Sequence, residues 1–280
     1  MNLLNKITRF YFYFKKKISQ HFGLQTGVLN SGKRRHYDDE INLNIGAGKY
    51  ILPGFKSLDI YTPHYYKSKE KFLKERIEYD IRCDKIPFED NTVKNIYISH
   101  VIEHIEFKYV KKLIEECFRV LKVDGVLRIV CPDGRFLFEV SQFQNEYWKW
   151  RHADIFKNKN YSSDSTSMDQ IDFLIRETST PRCRFYKNSI SSAELVPSEI
   201  NQLNFLEYKE LVREGLTFRS DHPGDHINIW DFEELKALAL DAGFRFAIES
   251  KCRGSVSALM QSKVFDKKVP HMSLYTDLVK

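Results

Sequence analysis

No run in this chain of 280 residues approaches the roughly 20 consecutive apolar residues that a membrane-spanning helix needs, so no integral membrane segment is expected. Cysteine pairs are missing too. The five cysteines (Cys83, Cys117, Cys131, Cys183 and Cys252) are odd in number, far apart and form no C-x-x-C. A disulfide framework or a cysteine-rich zinc module is therefore not expected, and a reducing, cytoplasmic compartment is. Acidic residues are absent from residues 1–36, which hold eight Lys/Arg (Lys6, Arg9, Lys15, Lys16, Lys17, Lys33, Arg34 and Arg35). In the remainder, 36 bases face 38 acids, a near-neutral body carrying a basic arm. A nucleic-acid binder carries its bases on the folded surface, so no nucleic-acid partner is expected. What is present is an ordinary globular composition, 42% hydrophobic and 29% charged in 33.2 kDa. It suits one large domain, or a core domain with a substantial insertion.

In residues 1–40, the apolar residues Leu3, Leu4, Ile7, Phe10, Tyr11, Phe14, Ile18 and Phe22 fall on one helical stripe, with Lys6, Arg9, Lys16 and Lys17 outside it. Phe12 and Tyr13 break the pattern. Three readings stay open: a helix packed on the body, an interfacial helix of residues 1–22 touching anionic lipid at the inner face of a membrane, and a targeting or disordered arm. A secretory signal is not read here, because the apolar core is short and no small-residue cleavage site follows. Asn30 to Glu40 reads as a linker.

From residue 41 the pattern is strand, turn, strand, strand, strand, helix, strand. Ile41–Ile45, Lys56–Ile60, Arg76–Asp80 and Val93–Ser99 are the first four strands. Phe107 to Lys122 has apolar residues at helical spacing and ends at Asp124-Gly125, before a fifth strand, Val126–Cys131. Strands alternating with helices predict an α/β fold with a parallel sheet covered on both faces. Residues 135–225 break the rhythm with an aromatic cluster (Tyr147, Trp148, Trp150) and a serine-rich stretch, and read as an insertion over the carboxyl edge of the sheet. Those aromatics are core, or a platform for a sugar. Residues 226–280 complete the sheet. Asp231 caps a helix that Gly243 stops, and Phe244–Ile248 and Ser273–Val279 are the last strands.

Strand one runs into Gly46-Ala47-Gly48, which would place bare backbone N–H groups at a helix N-terminus. A dinucleotide fold needs its ribose acid about 20 residues further on and a third glycine. Asp59 comes too soon, Pro53-Gly54 interrupts the gap, and the third glycine is missing. Nicotinamide dinucleotides are disfavoured.

Leu43-Asn-Ile-Gly-Ala-Gly48, Leu58-Asp-Ile60, Asp80-Ile-Arg82, Ile86-Pro-Phe-Glu-Asp-Asn-Thr-Val93, Ser99-His-Val-Ile-Glu-His104 and Phe118-Arg-Val-Leu-Lys-Val-Asp-Gly125 follow one another in order. This series resembles class I S-adenosylmethionine-dependent methyltransferases, most closely the type 11 group. It covers about residues 41–134 and resumes at 226–280. The resemblance implies a Rossmann-like, mostly parallel seven-stranded sheet with helices on both faces, the last strand antiparallel and an insertion after strand five. It implies S-adenosylmethionine as cofactor. Gly46, Ala47 and Gly48 would lie under its methionine and ribose, Asp59 would accept from the ribose hydroxyls, and Asp80 and Ile81 would flank the adenine. His100 would line the side of the transferring methyl. Asn44 stands where many relatives have an acid, so it can accept a hydrogen bond but not pair with the cofactor's ammonium. Each acid also reads as a strand-end turn cap.

His100-Val-Ile-Glu-His104 also spells the H-x-x-E-H signature of a zinc hydrolase, with His100 and His104 sharing a helix face and Glu103 as base. The strand before it and the methyltransferase-like series around it argue against that reading, and no metal is assigned. Methyl transfer from a sulfonium needs an in-line nucleophile and sometimes a base. Candidates are His100, Asp133 and His226, with His222 and Asp225 in the same compact loop as His226. Histidine suits a hydroxyl nucleophile at neutral pH. The expected acceptor is a glycan, a lipid-linked saccharide or a small metabolite. A protein that binds the cofactor without catalysis is the remaining alternative.

Overall fold

The computed structural model describes residues 40–142 and 168–280. The basic arm, the Tyr147–Trp150 aromatics and the serine-rich stretch lie outside these residues. Seven strands form one sheet, β1 (Ile41–Ile45), β2 (Lys56–Asp59), β3 (Ile77–Glu78), β4 (Val93–Ser99), β5 (Leu121–Pro132), β6 (Phe246–Glu249) and β7 (Ser273–Val279), in the order β3-β2-β1-β4-β5-β7-β6. All pairings are parallel except those of β7 with β5 and β6. The expected Rossmann-like sheet with an antiparallel last strand is therefore present. Its strand order reverses between β1 and β4, where open α/β sheets bind ligands at their carboxyl ends.

Two amphipathic helices cover one face. Val110, Leu113, Ile114 and Cys117 of α2 (Phe107–Val120) pack with Leu235 and Ala239 of α7 (Phe232–Ala242) against Leu43, Ile45, Ile96, Ile98, Leu127 and Ile129. The ends of α7 follow sequence chemistry. Asp231 accepts from the Glu234 N–H at 2.9 Å, and Gly243 closes the helix at φ 104°. On the other face Tyr97, Val130 and Tyr275 meet Leu52, Phe55, Met260 and Phe265.

That face also holds a buried ion cluster. Arg128 of β5 lies opposite Asp277 of β7 and bonds its carboxylate at 2.8 Å. A second carboxylate, Asp266, accepts from the same guanidinium at 2.7 and 3.2 Å, and the Lys251 carbonyl at 2.8 Å. Side chains of all three ions are fully buried. Burial disfavours the charge on Arg128, but the two carboxylates reverse this and raise its pKa.

Between β5 and α7 the insertion builds its own apolar core. Its helices α3 (Gly134–Ser141), α4 (Gln170–Thr178), α5 (Pro197–Ile200) and α6 (Phe205–Arg213) share Leu137, Phe173, Leu174, Tyr208 and Val212, together with Ile229 and Met272 of the sheet domain. Ion pairs seal the seam with α7: Lys209 Nζ sits 2.9 Å from Asp231, and Arg213 grips Glu234.

Two local expectations are corrected. No helix follows Gly46-Ala47-Gly48. The chain turns through residues 46–55 straight into β2, because this stretch is too short for a helical crossover and Pro53-Gly54 breaks it. Conversely, α1 (Lys69–Glu75) lies between β2 and β3. It was illegible as an apolar stripe because Phe72 is its one buried residue.

Candidate functional site

The glycine turn is held by Asp59, not by a helix dipole. Asp59 Oδ2 accepts from Gly48 N at 2.6 Å and from the Tyr66 hydroxyl at 2.6 Å, while Oδ1 accepts from Ile60 N at 2.8 Å. Arg76 clamps the Gly48 carbonyl from the other side at 3.0 and 3.2 Å. Burial raises the Asp59 pKa against the lowering effect of these bonds. Gly46 and Gly48 both sit at positive φ, 66° and 55°. A Cβ on Gly46 would come within 2.3 Å of Val101 Cγ2, whereas one on Gly48 would meet nothing within 4 Å. The turn thus presents open space over Gly48 beside a carboxylate whose Oδ1 has acceptor capacity left. These residues fit the ribose end of the cofactor. We expect Gly46→Ala to lower stability by about 2 kcal/mol or more, from backbone strain plus the clash with Val101, and urea unfolding of the two proteins measures it.

The other expected cofactor residues are each engaged by neighbours within the protein. Asn44 is buried and its amide donates to the Tyr50 carbonyl at 3.3 Å, so it fastens the loop after the turn. Ala47 is buried, and its N–H faces the Leu58 carbonyl at 3.4 Å. Ile81 packs against the main core. Asp80 accepts three hydrogen bonds from Arg82: from N at 2.9 Å, from Nε at 3.0 Å and from Nη2 at 2.7 Å. Burial opposes its ionisation, but Arg82 outweighs it and lowers the pKa. The carboxylate that the resemblance offers to the adenine amino group is thus engaged by a guanidinium, itself 4.3 Å from the Phe218 ring of the insertion.

Further along the carboxyl edge, His100 takes a left-handed conformation, φ 54°, directly after β4. This breaks any helix there, so His100 and His104 do not share a helical face, and the zinc arrangement read from H-x-x-E-H is overturned. His100 Nδ1 lies 3.0 Å from Glu103 Oε1, and Nε2 lies 3.2 Å from Ser273 Oγ at the start of β7. A short 3-10 turn, Ile102–His104, then buries Glu103, whose carbonyl accepts from Ile227 N at 2.8 Å and Asn228 N at 3.1 Å. Those bonds lay segment 225–228 over the turn and bring His226 against His104, ring centroids 4.9 Å apart. Burial disfavours charge on Glu103, but the imidazoles around it hold its carboxyl down at about 2. For His104, burial pushes the pKa down to about 4, so it is neutral at physiological pH.

The structure therefore brings together His100 and His226, two of the three candidate catalytic residues, around a cavity of about 500 Å³ that His64, His222 and Asp225 also line. Asp133 serves as the cap of α3, accepting from Phe136 N at 3.0 Å. Sequence reasoning did not single out Arg176, Thr180 and Tyr186, cavity residues supplied by the insertion. No local pattern could have placed them there. Among the described residues no helix is long and apolar enough to cross a membrane.

Residues 55–129, from the approach to β2 into β5, match the family model described as a methyltransferase domain. This agrees with the resemblance read from the ordered motifs and supports S-adenosylmethionine as the cofactor; the matched residues begin after the glycine turn. Similar solved structures include an S-adenosylmethionine-dependent methyltransferase, SibL, at 9% identity and TM-score 0.39, covering 88% of this chain and 52% of that one. A second is the CMeT domain of the citrinin polyketide synthase, at 11% identity and TM-score 0.41, covering 91% and 48%. A third is a SAM-dependent methyltransferase from Archaeoglobus fulgidus, at 12% identity and TM-score 0.40, covering 96% and 93%. The chain spans about half the length of the first two. No curated protein sequence matches it.

Proposed function

We propose that the protein transfers the methyl group of S-adenosylmethionine to a hydroxyl of a glycan, a lipid-linked saccharide or a small metabolite held under the insertion. One observation carries this reading: a single loop reaches both the histidine-lined cavity and the glycine turn. His64 belongs to the same loop as Tyr66, which bonds Asp59, and so links cavity and turn. When bound, the cofactor supplies an electrophilic methyl on a sulfonium. Asp59 and the backbone of Gly48 would hold its ribose. His100 is fixed at both ring nitrogens, by Glu103 and Ser273, and so serves to shape the wall of the cavity. His222, in the wall of the cavity, is the imidazole placed to accept a proton from a hydroxyl. Polar walls of His, Arg, Thr and Tyr suit a hydroxyl-rich acceptor better than a flat apolar one.

Calorimetric titration with S-adenosylhomocysteine, followed by transfer of labelled methyl from S-adenosylmethionine to saccharide, lipid and small-molecule extract fractions, tests the reading. Micromolar binding with label in a hydroxyl-bearing product is expected. Failure of folded protein to bind would overturn it. Binding without transfer to any fraction would instead favour a non-catalytic role.

A further inference from the structure

Glu103, His104 and His226 each point one ligand-type atom at a common place, all within 4.8 Å of one another. We infer that this trio is a binding site for a divalent transition cation, of the Mn²⁺, Co²⁺ or Zn²⁺ kind, with its open coordination positions facing the cavity. Three independent features support it.

The carboxylate is nearly solvent-free, with Glu103 only 1% exposed, yet its Oε2 has no hydrogen-bond partner among the described residues. A buried carboxylate oxygen left without a partner is costly and calls for a ligand. The other oxygen, Oε1, is held by His100 at 3.0 Å, which fixes the orientation of the group.

The two imidazoles are also oriented as ligands. His104 Nδ1 faces the Asp225 carbonyl at 2.9 Å, and His226 Nδ1 faces the Glu177 carbonyl at 2.5 Å. A carbonyl oxygen can only accept, so each Nδ1 carries the proton and each Nε2 keeps its lone pair. Backbone carbonyls behind the distal nitrogen are the usual outer support of metal-binding histidines.

Geometry and donor type then select the cation. Bonds of about 2.0–2.2 Å set neighbouring donors roughly 3–4 Å apart, so the trio needs a contraction of at most about 1–2 Å. His104 Nε2 already stands 3.8 Å from Oε1 of the same carboxylate, the oxygen that His100 holds. Two imidazoles and one carboxylate favour a first-row transition ion over Mg²⁺ or Ca²⁺, which prefer oxygen donors. His226 lines the cavity, so an incoming oxygen donor of the acceptor can complete the coordination. This ligand set differs from the H-x-x-E-H pair, because His226 replaces His100 and Glu103 is a ligand.

The test uses full-length untagged protein stripped with chelator and titrated with Co²⁺, read by visible d–d absorption, and with Zn²⁺ by calorimetry. The expected result is one ion per chain. Glu103→Gln and His226→Gln should each weaken binding at least about 100-fold, whereas His222→Gln should leave it unchanged. Circular dichroism and S-adenosylhomocysteine titration of each variant, both without metal, show whether it is folded. Absence of stoichiometric binding by the folded wild-type chain, or binding that survives in both folded ligand variants, overturns the site. Because no methyl donor enters the metal titration, its failure is separate from failure of the methyltransferase reading.

Discussion

Asp59→Ala is expected to weaken S-adenosylhomocysteine binding by a factor of 100 or more, measured by calorimetry. Two losses combine. The substitution removes the acceptor that the proposed reading gives the ribose hydroxyls, where hydrogen bonds to a charged group contribute about 1.5–3 kcal/mol. It also releases Gly48 N, now held at 2.6 Å, so the turn that must lie under the cofactor loses the bond that shapes it. Asp59→Asn separates the two. An Asn oxygen can still accept from Gly48 N, although its NH2 then meets the Ile60 N–H, so the turn is kept in part while the charge is gone, and an intermediate loss of about tenfold is expected. Equal affinities for wild type and Asp59→Ala would remove Asp59 from the cofactor site.

The largest stability effect is expected from Arg128→Met. This substitution leaves Asp266 and Asp277 fully buried without their cation. Removing one partner of a buried ion group costs about 3–5 kcal/mol, and here one cation serves two acids. For a chain of this size that corresponds to a fall in Tm of about 5–9 °C, measurable by thermal denaturation. Replacing all three ions together, Arg128→Met with Asp266→Leu and Asp277→Leu, is expected to recover a large part of the loss, because no charge then stays unpaired. A mild effect of Arg128→Met alone would show that water reaches the cluster.

Elements whose signals are local were legible. α7 announced itself through Asp231 and Gly243, and β7 through Ser273–Val279, each confirmed at its bounds. The ordered glycine and acid motifs placed the carboxyl edge of the sheet at Gly46–Gly48 and Asp59. What stayed hidden depended on backbone conformation or on distant contacts. The left-handed φ of His100 is invisible in a spacing that suits a helix. Arg82 closes on Asp80 as an ion pair, and nothing in Asp-Ile-Arg announces that contact. The approach of His226 to His104 depends on Ile227 and Asn228 bonding the Glu103 carbonyl, a contact across more than a hundred residues of chain.

That last contact has a kinetic consequence. The glycine turn and Asp59 are near neighbours along the chain and close a short loop, whereas Glu103 and His226 close one that spans the whole insertion. Long loops carry the larger closure entropy and form late. During refolding, the capacity to hold the methyl donor should therefore emerge before the histidine wall of the cavity, and slowing the docking of the insertion would delay the second without delaying the first.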